Sequence, residues 1–385
     1  MSQDPNKPTT FDTACVHAGK QPLEARFGIN TPVVTSSAFD YRDDQVRYPR
    51  YHNSLNHEVV AAKIAALEGA ESAMVTASGM GAISAIFFAL MKPGEHAILL
   101  DGLYGGTMDL VEGLLTPSGF RFSIWNGDPD HLEDLITPQT RLLMIESPTN
   151  PLMQVVDLER SAAIARNHGL ISVIDNTFAT PVVQRPIESG FDLVMHSATK
   201  YMGGHSDLLC GALAGSEALI DRLRPTILRL GASLNGQDLY LLERSLKTLA
   251  LRVRQQSANA LALARHLDKH ECVAEVLYPG LPSHRQHELA TKQMQGYGGM
   301  LSFRLATNLD SRHVLERLEL IHPAISLGGV ETTIAQPARS SHAKLSGSER
   351  ERLGIDDALM RLSVGIEGAE DLWQDLDNTL NSLTR

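Results

Sequence analysis

Short, almost wholly apolar runs alternate with helical patterns through the middle of the chain. The runs at 96–101, 121–126, 141–145, 171–174, 191–195 and 211–215 predict strands, several of them apolar enough to be buried on both faces. Between them, 79–91 and 158–167 read as helices, closed by Lys92-Pro-Gly94 and His168-Gly169. This alternation predicts an α/β fold with a mostly parallel, doubly wound sheet. A helix at 58–68, ended by Gly69, precedes it, and a long helical stretch at 239–267 follows. Further on, strands at 299–305, 324–327 and 359–364 and a last helix at 370–383 mix without strict alternation, which predicts a smaller α+β C-terminal domain. The chain therefore divides into an arm (1–55), a large domain (56–250) and a small domain (251–385). The arm is rich in Pro, Thr, Asn and Arg and has little helical periodicity. An arm without a core of its own usually lies on another domain or subunit.

Composition narrows the partners. The 385 residues are enough for a large core, and 43% hydrophobic with 21% charged is ordinary for a soluble globular protein. A formal net charge of -11 argues against nucleic acid and anionic membrane. No apolar run approaches the ~20 residues of a membrane span. The first eight residues lack the apolar core of a signal peptide, and the expected home is the cytoplasm. Cys15, Cys210 and Cys272 are odd in number and widely spaced, which suggests neither a disulfide framework nor a metal site.

The chemistry gathers at strand ends. Ser197-Ala-Thr-Lys200 follows the run 191–195, and ligands in open α/β sheets collect at the carboxyl edge. A lysine there, flanked by hydroxyls, is a candidate for condensing with an aldehyde cofactor, with Ser197 and Thr199 on a phosphate. A strand-end lysine in solvent is the ordinary alternative. Glu146 and Asp175 follow two other strands of the same edge. A carboxylate such as Asp175 keeps a pyridine nitrogen protonated, although a structural role is equally ordinary. Ser78-Gly-Met-Gly81 opens a helix, and free N–H groups there favour an anion unless the loop is merely tight. Neither a Gly-x-Gly-x-x-Gly fingerprint nor a P-loop occurs. Tyr104, just past the run 96–101, either lays its ring on a planar cofactor or packs in the core.

These segments together resemble the Cys/Met-metabolism family of pyridoxal-phosphate enzymes, which includes cystathionine β-lyases, γ-lyases and γ-synthases and methionine γ-lyases. The resemblance runs from Val16-His-Ala-Gly19 to Arg361-Leu-Ser-Val-Gly365. It is carried by Tyr48-Pro-Arg50, Ser78-Gly-Met80, Tyr104-Gly-Gly-Thr107, Glu146-Ser-Pro-Thr-Asn-Pro151, Asp175-Asn-Thr177, Ser197-Ala-Thr-Lys-Tyr201, Ser326-Leu-Gly-Gly329 and Arg361-Leu-Ser363. It implies fold type I, pyridoxal 5'-phosphate as cofactor and a homotetramer of two tight dimers with shared active sites. Lys200 matches the lysine that holds the cofactor aldehyde, Asp175 the partner of its ring nitrogen and Tyr104 the stacking residue. Ser78, Gly79, Met80, Ser197 and Thr199 match phosphate contacts. Tyr48 and Arg50 match the pair that reaches the neighbouring subunit's phosphate. Asn150 and Arg361 match holders of the substrate α-carboxylate, and Ser326 lies in a substrate-side motif. Glu146 implies a site-shaping role.

The resemblance also bears on the reaction, a carbon–sulfur lyase acting on cystathionine. γ-Specific relatives usually carry glutamate just before Ser-Leu-Gly-Gly, where this chain has Ile325. Many also have arginine five residues past the stacking tyrosine, where this chain has Asp109, as bacterial β-lyases do. Methionine γ-lyases usually have cysteine where this chain has Gly106. These positions lean towards β-elimination, with Asp109 meeting the distal ammonium, although Ile325 as packing and Asp109 as a cap or solvated residue remain open. An aminotransferase fits the motifs less well, and a non-catalytic relative would not need Lys200, Asp175, Tyr104 and Arg361 together.

Overall fold

The computed structural model describes residues 10–20, 28–42, 46–306, 309–341, 343 and 346–383. The leader reading of the first eight residues lies outside them. A seven-stranded sheet contains β1 (Ser72–Thr76), β2 (His96–Leu100), β3 (Arg121–Trp125), β4 (Thr140–Glu146), β5 (Ile171–Asp175), β6 (Leu193–Ser197) and β7 (Gly211–Gly215). Its order is β1-β7-β6-β5-β4-β2-β3. Strands β2 to β6 pair in parallel, and β7 runs antiparallel to both of its neighbours. The inner strands are apolar along their whole length because both faces are covered. Gly79–Leu90, Leu158–Asn167 and Glu217–Leu230 bury one face, and Leu55–Glu68, Gly236–Leu246 and Leu249–Leu267 the other.

A second sheet contains β8 (Val273–Leu277), β9 (Met300–Leu305), β10 (His322–Pro323), β11 (Thr333–Ala335) and β12 (Leu359–Ser363), in the order β10-β11-β12-β9-β8. Only β10 and β11 pair in parallel. Its core includes Leu263, Leu267, Phe303, Leu362 and Leu376, from Leu249–Leu267, the sheet and the last helix, Ala369–Asn381. The helix Leu249–Leu267 thus packs against both sheets.

Four expectations change. The stretch 239–267 is two helices, broken at Lys247 and Thr248. There the Thr248 hydroxyl and the Arg252 guanidinium both donate to the Ser245 carbonyl, which bends the chain out of one helix. The stretch 324–327 is a loop. After Ala324 N–H donates to the Ile334 carbonyl, its polar groups bond side chains instead of a neighbouring strand. Ile325 O accepts from Arg361 and Ser326 O from Thr333. The arm is partly helical: Phe11–His17 starts at Thr10, whose hydroxyl accepts from Thr13 N–H, and buries Cys15. The buried Lys63 amine donates to Cys15 O and Val16 O, supplying a cation at that helix's C-terminus. Finally, β1, β8 and the helix Glu217–Leu230, which holds Pro225 within it, are elements the hydrophobic pattern did not predict. All three cysteines are buried and free.

His52 and His57 lie at the root of the arm, both buried, with ring centroids 5.0 Å apart. His57 Nδ1 is 2.7 Å from the Ser54 hydroxyl. Burial lowers His52 to about 4 and His57 to about 3, from an ordinary 6.5. The unfolded chain therefore binds these protons first as pH falls. Their contribution to stability is complete above pH 6.5 and is lost as pH drops through the folded values. At about 1.4 kcal/mol per pKa unit, the loss is about 3 kcal/mol or more for each ring. Urea unfolding at pH 7 and pH 4.5 should show a steep fall for the wild type and a shallower one for His52→Gln/His57→Gln. Parallel falls would show that other groups set the acid limit.

Candidate active site

The carboxyl ends of β4, β5 and β6 converge on one edge. After β6 the chain turns: Lys200 N–H donates to Ser197 O, and Gly204 N–H to Lys200 O at 2.7 Å. Arg252 holds this turn from beneath. Its guanidinium is buried and donates to Tyr201 O at 2.7 Å and Met202 O at 3.3 Å. Gly204 has φ +70°, and a Cβ there would lie 1.8 Å from the guanidinium, so only glycine fits. The Lys200 amine donates to the Ser326 hydroxyl at 3.2 Å. Burial, and then the charge of Arg361, hold Lys200 below the ordinary lysine value, which favours the neutral amine.

Asp175 and Glu146 are direct neighbours in register and both are buried. Burial raises both above the ordinary carboxylate range. Asp175 accepts from the N–H and hydroxyl of Thr177, which oppose the rise. Glu146 is raised further by the charge of Asp175. Of the two, Glu146 is held further towards its protonated form. Glu146 Oε2 accepts from Tyr104 N–H at 2.9 Å, so its site-shaping job is concrete: it fixes the backbone from which the Tyr104 ring projects.

The Tyr104 ring is 44% exposed, so it is no core tyrosine. It lies against Gly106, where a Cβ would come within 2.5 Å of the ring. Any side chain at 106 would force the ring elsewhere, which gives the glycine there a physical reason. Ser78 caps the helix Gly79–Leu90, its hydroxyl accepting from Gly81 N–H at 3.1 Å. The helix packs so closely on β6 that a Cβ on Gly79 would meet Ser197 Cβ at 2.9 Å. The first N–H groups of a helix have no partner within it. Here they open beside the Ser197 hydroxyl. Thr199 Oγ1 is engaged at its back, accepting from Cys210 N–H at 3.0 Å.

Arg361 enters from β12 and is 2% exposed. One Nη donates to Asn150 Oδ1 at 3.0 Å and the other to Ile325 O at 3.1 Å, while Nε makes no bond. Burial lowers its guanidinium to about 10, still charged at neutral pH. A buried guanidinium without a bound carboxylate, with a donor unused, suits an incoming carboxylate. Ile325 is 71% exposed beside Ser326, so it is not part of this chain's own core. Asp109 is exposed on the helix Gly105–Leu110. Tyr48 and Arg50 are exposed as well. Arg50 lies over the Tyr51 ring and donates to Leu228 O at 3.2 Å, and neither contact involves Lys200. The Arg252 clamp escaped the sequence reading, since an arginine inside a helical pattern carries no local signal of its partners.

A lysine amine held below its ordinary pKa, a strand-end carboxylate, an anion cradle and an exposed aromatic ring fit an aldehyde-bearing pyridine phosphate. The cradle is the decisive feature, because glycine at 79 lets the helix N-terminus come up against the Ser197 side chain. No helix among the described residues is long and apolar enough to cross a membrane, and no group of three or more metal-ligating side chains occurs among them.

Comparison with known proteins agrees. The chain is 42% identical over 388 residues to cystathionine β-lyase of Coxiella burnetii, covering 99% of this chain and 100% of that one. It is 39% identical to cystathionine γ-synthase of Mycobacterium leprae, covering 97% of each. The crystal structure of cystathionine γ-lyase from Lactobacillus plantarum, complexed with L-serine, superposes with a TM-score of 0.94 at 36% identity. It covers 98% of this chain and 100% of that one. The model of the family described as Cys/Met metabolism PLP-dependent enzyme matches residues 12–381. With the fold, the cradle and the match agreeing over nearly its whole length, the chain belongs to the Cys/Met-metabolism family of pyridoxal-phosphate-dependent enzymes.

Proposed function

We propose that this chain cleaves the Cβ–S bond of L-cystathionine, releasing homocysteine, pyruvate and ammonia. One observation carries the reaction class: a lysine amine held by Ser326 shares its pocket with a buried Arg361 that has a donor to spare. The family cofactor, when bound, supplies an electron sink for the charge left at the substrate Cα. Gly79, Met80, Ser197 and Thr199, with Ser78 shaping the helix start, hold its phosphate. Asp175 would hold its ring nitrogen, and Tyr104 would pack on its ring. Lys200 would hold its aldehyde, and the Lys200 amine is the base placed to take the proton from the substrate Cα. The Ser326 hydroxyl keeps that amine in place. Arg361 and Asn150 hold the α-carboxylate and so aim the Cα–H bond at the lysine.

The preference for β-elimination is supported by two positions and one relative. Asp109 offers an exposed carboxylate five residues past Tyr104, and Ile325 places an exposed apolar side chain next to Ser326 in the chain. The 42% identical relative is named cystathionine β-lyase. Incubation with L-cystathionine and identification of the keto acid tests the reading. Pyruvate with homocysteine supports it; 2-oxobutyrate with cysteine would mean γ-elimination. Asp109→Asn keeps the size and removes the charge. It should lower kcat/KM for cystathionine by about tenfold to a hundredfold, or 1–3 kcal/mol. Cysteine has no distal amine, so its turnover should hardly change. Equal losses on both substrates would move Asp109 out of substrate selection.

The arm belongs to the same proposal. Tyr48 and Arg50 are exposed and Arg50 bonds no Lys200 group in its own chain, which suits a role at the phosphate of a second copy. Two such dimers would make a tetramer.

A further inference from the structure

Glu68 ends the helix Leu55–Glu68, and it is fully buried. A carboxylate there opposes the helix dipole and loses its water, so it needs strong partners. It has them. Glu68 Oε1 accepts from His196 Nε2 at 2.5 Å and from Asn176 Nδ2 at 3.1 Å. Asn176 Nδ2 also donates to Gln184 O, and Asn176 Oδ1 accepts from Gln184 Nε2 at 3.0 Å. The same Gln184 amide donates to Ser147 O at 2.6 Å. All five groups are buried.

The places these bonds reach are what matter. Ser147 follows Glu146 at the end of β4. Asn176 follows Asp175 at the end of β5. His196 precedes Ser197 at the end of β6, and Lys200 stands three residues beyond. These three strands are neighbours in the sheet. The β5–β6 ladder pairs Asp175 with Met195 as its last register, and side chains take over much of the bonding past it. A site needs its groups held to about 0.5 Å.

We infer that Glu68 is a positioning residue for this edge: its one carboxylate, through His196, Asn176 and Gln184, locks together the three strand ends that carry Glu146, Asp175 and Lys200. The bonded groups are buried, and none of them is a residue assigned above to cofactor or substrate. His196 also lies close enough to Asp175 for its charge, when protonated, to favour the ionised carboxylate. The inference rests on the assignment of Asp175 and Lys200 to the cofactor made above.

The test separates a hydrogen-bonding clamp from mere filling of space. Glu68→Gln keeps an oxygen for both donors, and Oε2 has no bond to lose. Glu68→Leu has nearly the same volume and no acceptor. Cofactor-stripped full-length protein is titrated with pyridoxal 5'-phosphate, followed by the visible absorbance, and thermal melting of the stripped protein is recorded alongside. The expected result is a dissociation constant at least tenfold weaker for Glu68→Leu and within threefold of wild type for Glu68→Gln. Equal loss in both, or loss in neither, overturns the clamp; so does a lowered melting temperature with unchanged affinity. Where Glu68→Leu does not fold, His196→Gln, which can still donate, against His196→Leu decides by the same criterion. Lys200→Ala and Asp175→Asn are titrated in parallel. If both bind as tightly as wild type, it is the site assignment that falls, and the clamp with it.

Discussion

On the proposed reading, Lys200→Ala protein should turn over cystathionine at least a thousandfold more slowly than wild type and should lose the visible absorbance of the lysine-linked cofactor. Two contributions are removed at once. The first is covalent attachment at the end of β6. The second is general base catalysis at Cα, which alone is worth about 10²–10⁴. The fold should survive, because Lys200 contributes one hydrogen bond, to Ser326, and the turn around it is held by Arg252 and backbone bonds. Melting of the cofactor-stripped variant should therefore match wild type. Normal turnover in a well-folded Lys200→Ala sample would remove the lysine from the mechanism. The same variant tests the arm. Mixed with Arg50→Ala under conditions that exchange subunits, it should regain part of the activity, since a hybrid dimer would contain one site with both wild-type residues. Exchange without recovery would end the shared-site reading.

Arg361→Lys should cost about a hundredfold in kcat/KM for cystathionine, near 3 kcal/mol, with cofactor uptake unchanged. Lysine keeps the charge but loses the planar fork that meets a carboxylate through two parallel bonds. Its single nitrogen also cannot stand at both Asn150 Oδ1 and Ile325 O, which two separate Nη groups of the guanidinium reach. Binding that is uniform between ground and transition state would appear in KM alone. Loss of aim at Cα would appear in kcat as well. A specificity constant within threefold of wild type would mean that the α-carboxylate is held elsewhere.

Much of this architecture was legible in the chain. Runs such as 171–174 and 191–195 have no polar face, so they read as buried strands, and β5 and β6 occupy those places. The residues past those strands were legible too, because the carboxyl edge of such a sheet is where ligands gather. Other elements were not. β7 is Gly-Ala-Leu-Ala-Gly, and nothing in that run says that it lies antiparallel between β1 and β6. The stretch 324–327 is apolar enough to suggest a strand, but its carbonyls are spent on Arg361 and Thr333. The helix break at Thr248 depends on Arg252 reaching back to Ser245.

Local order and the identity of the reactive groups were thus determined by the sequence, through period, motif and strand-end position. Only the tertiary structure decided which groups meet. Arg361 and Asn150 are 211 residues apart, Lys200 and Ser326 are 126, and Glu68 and His196 are 128. Their charge states follow from those meetings. A carboxylate such as Glu146 is raised because burial strips its water and Asp175 stands beside it, and no spacing along the chain encodes either circumstance.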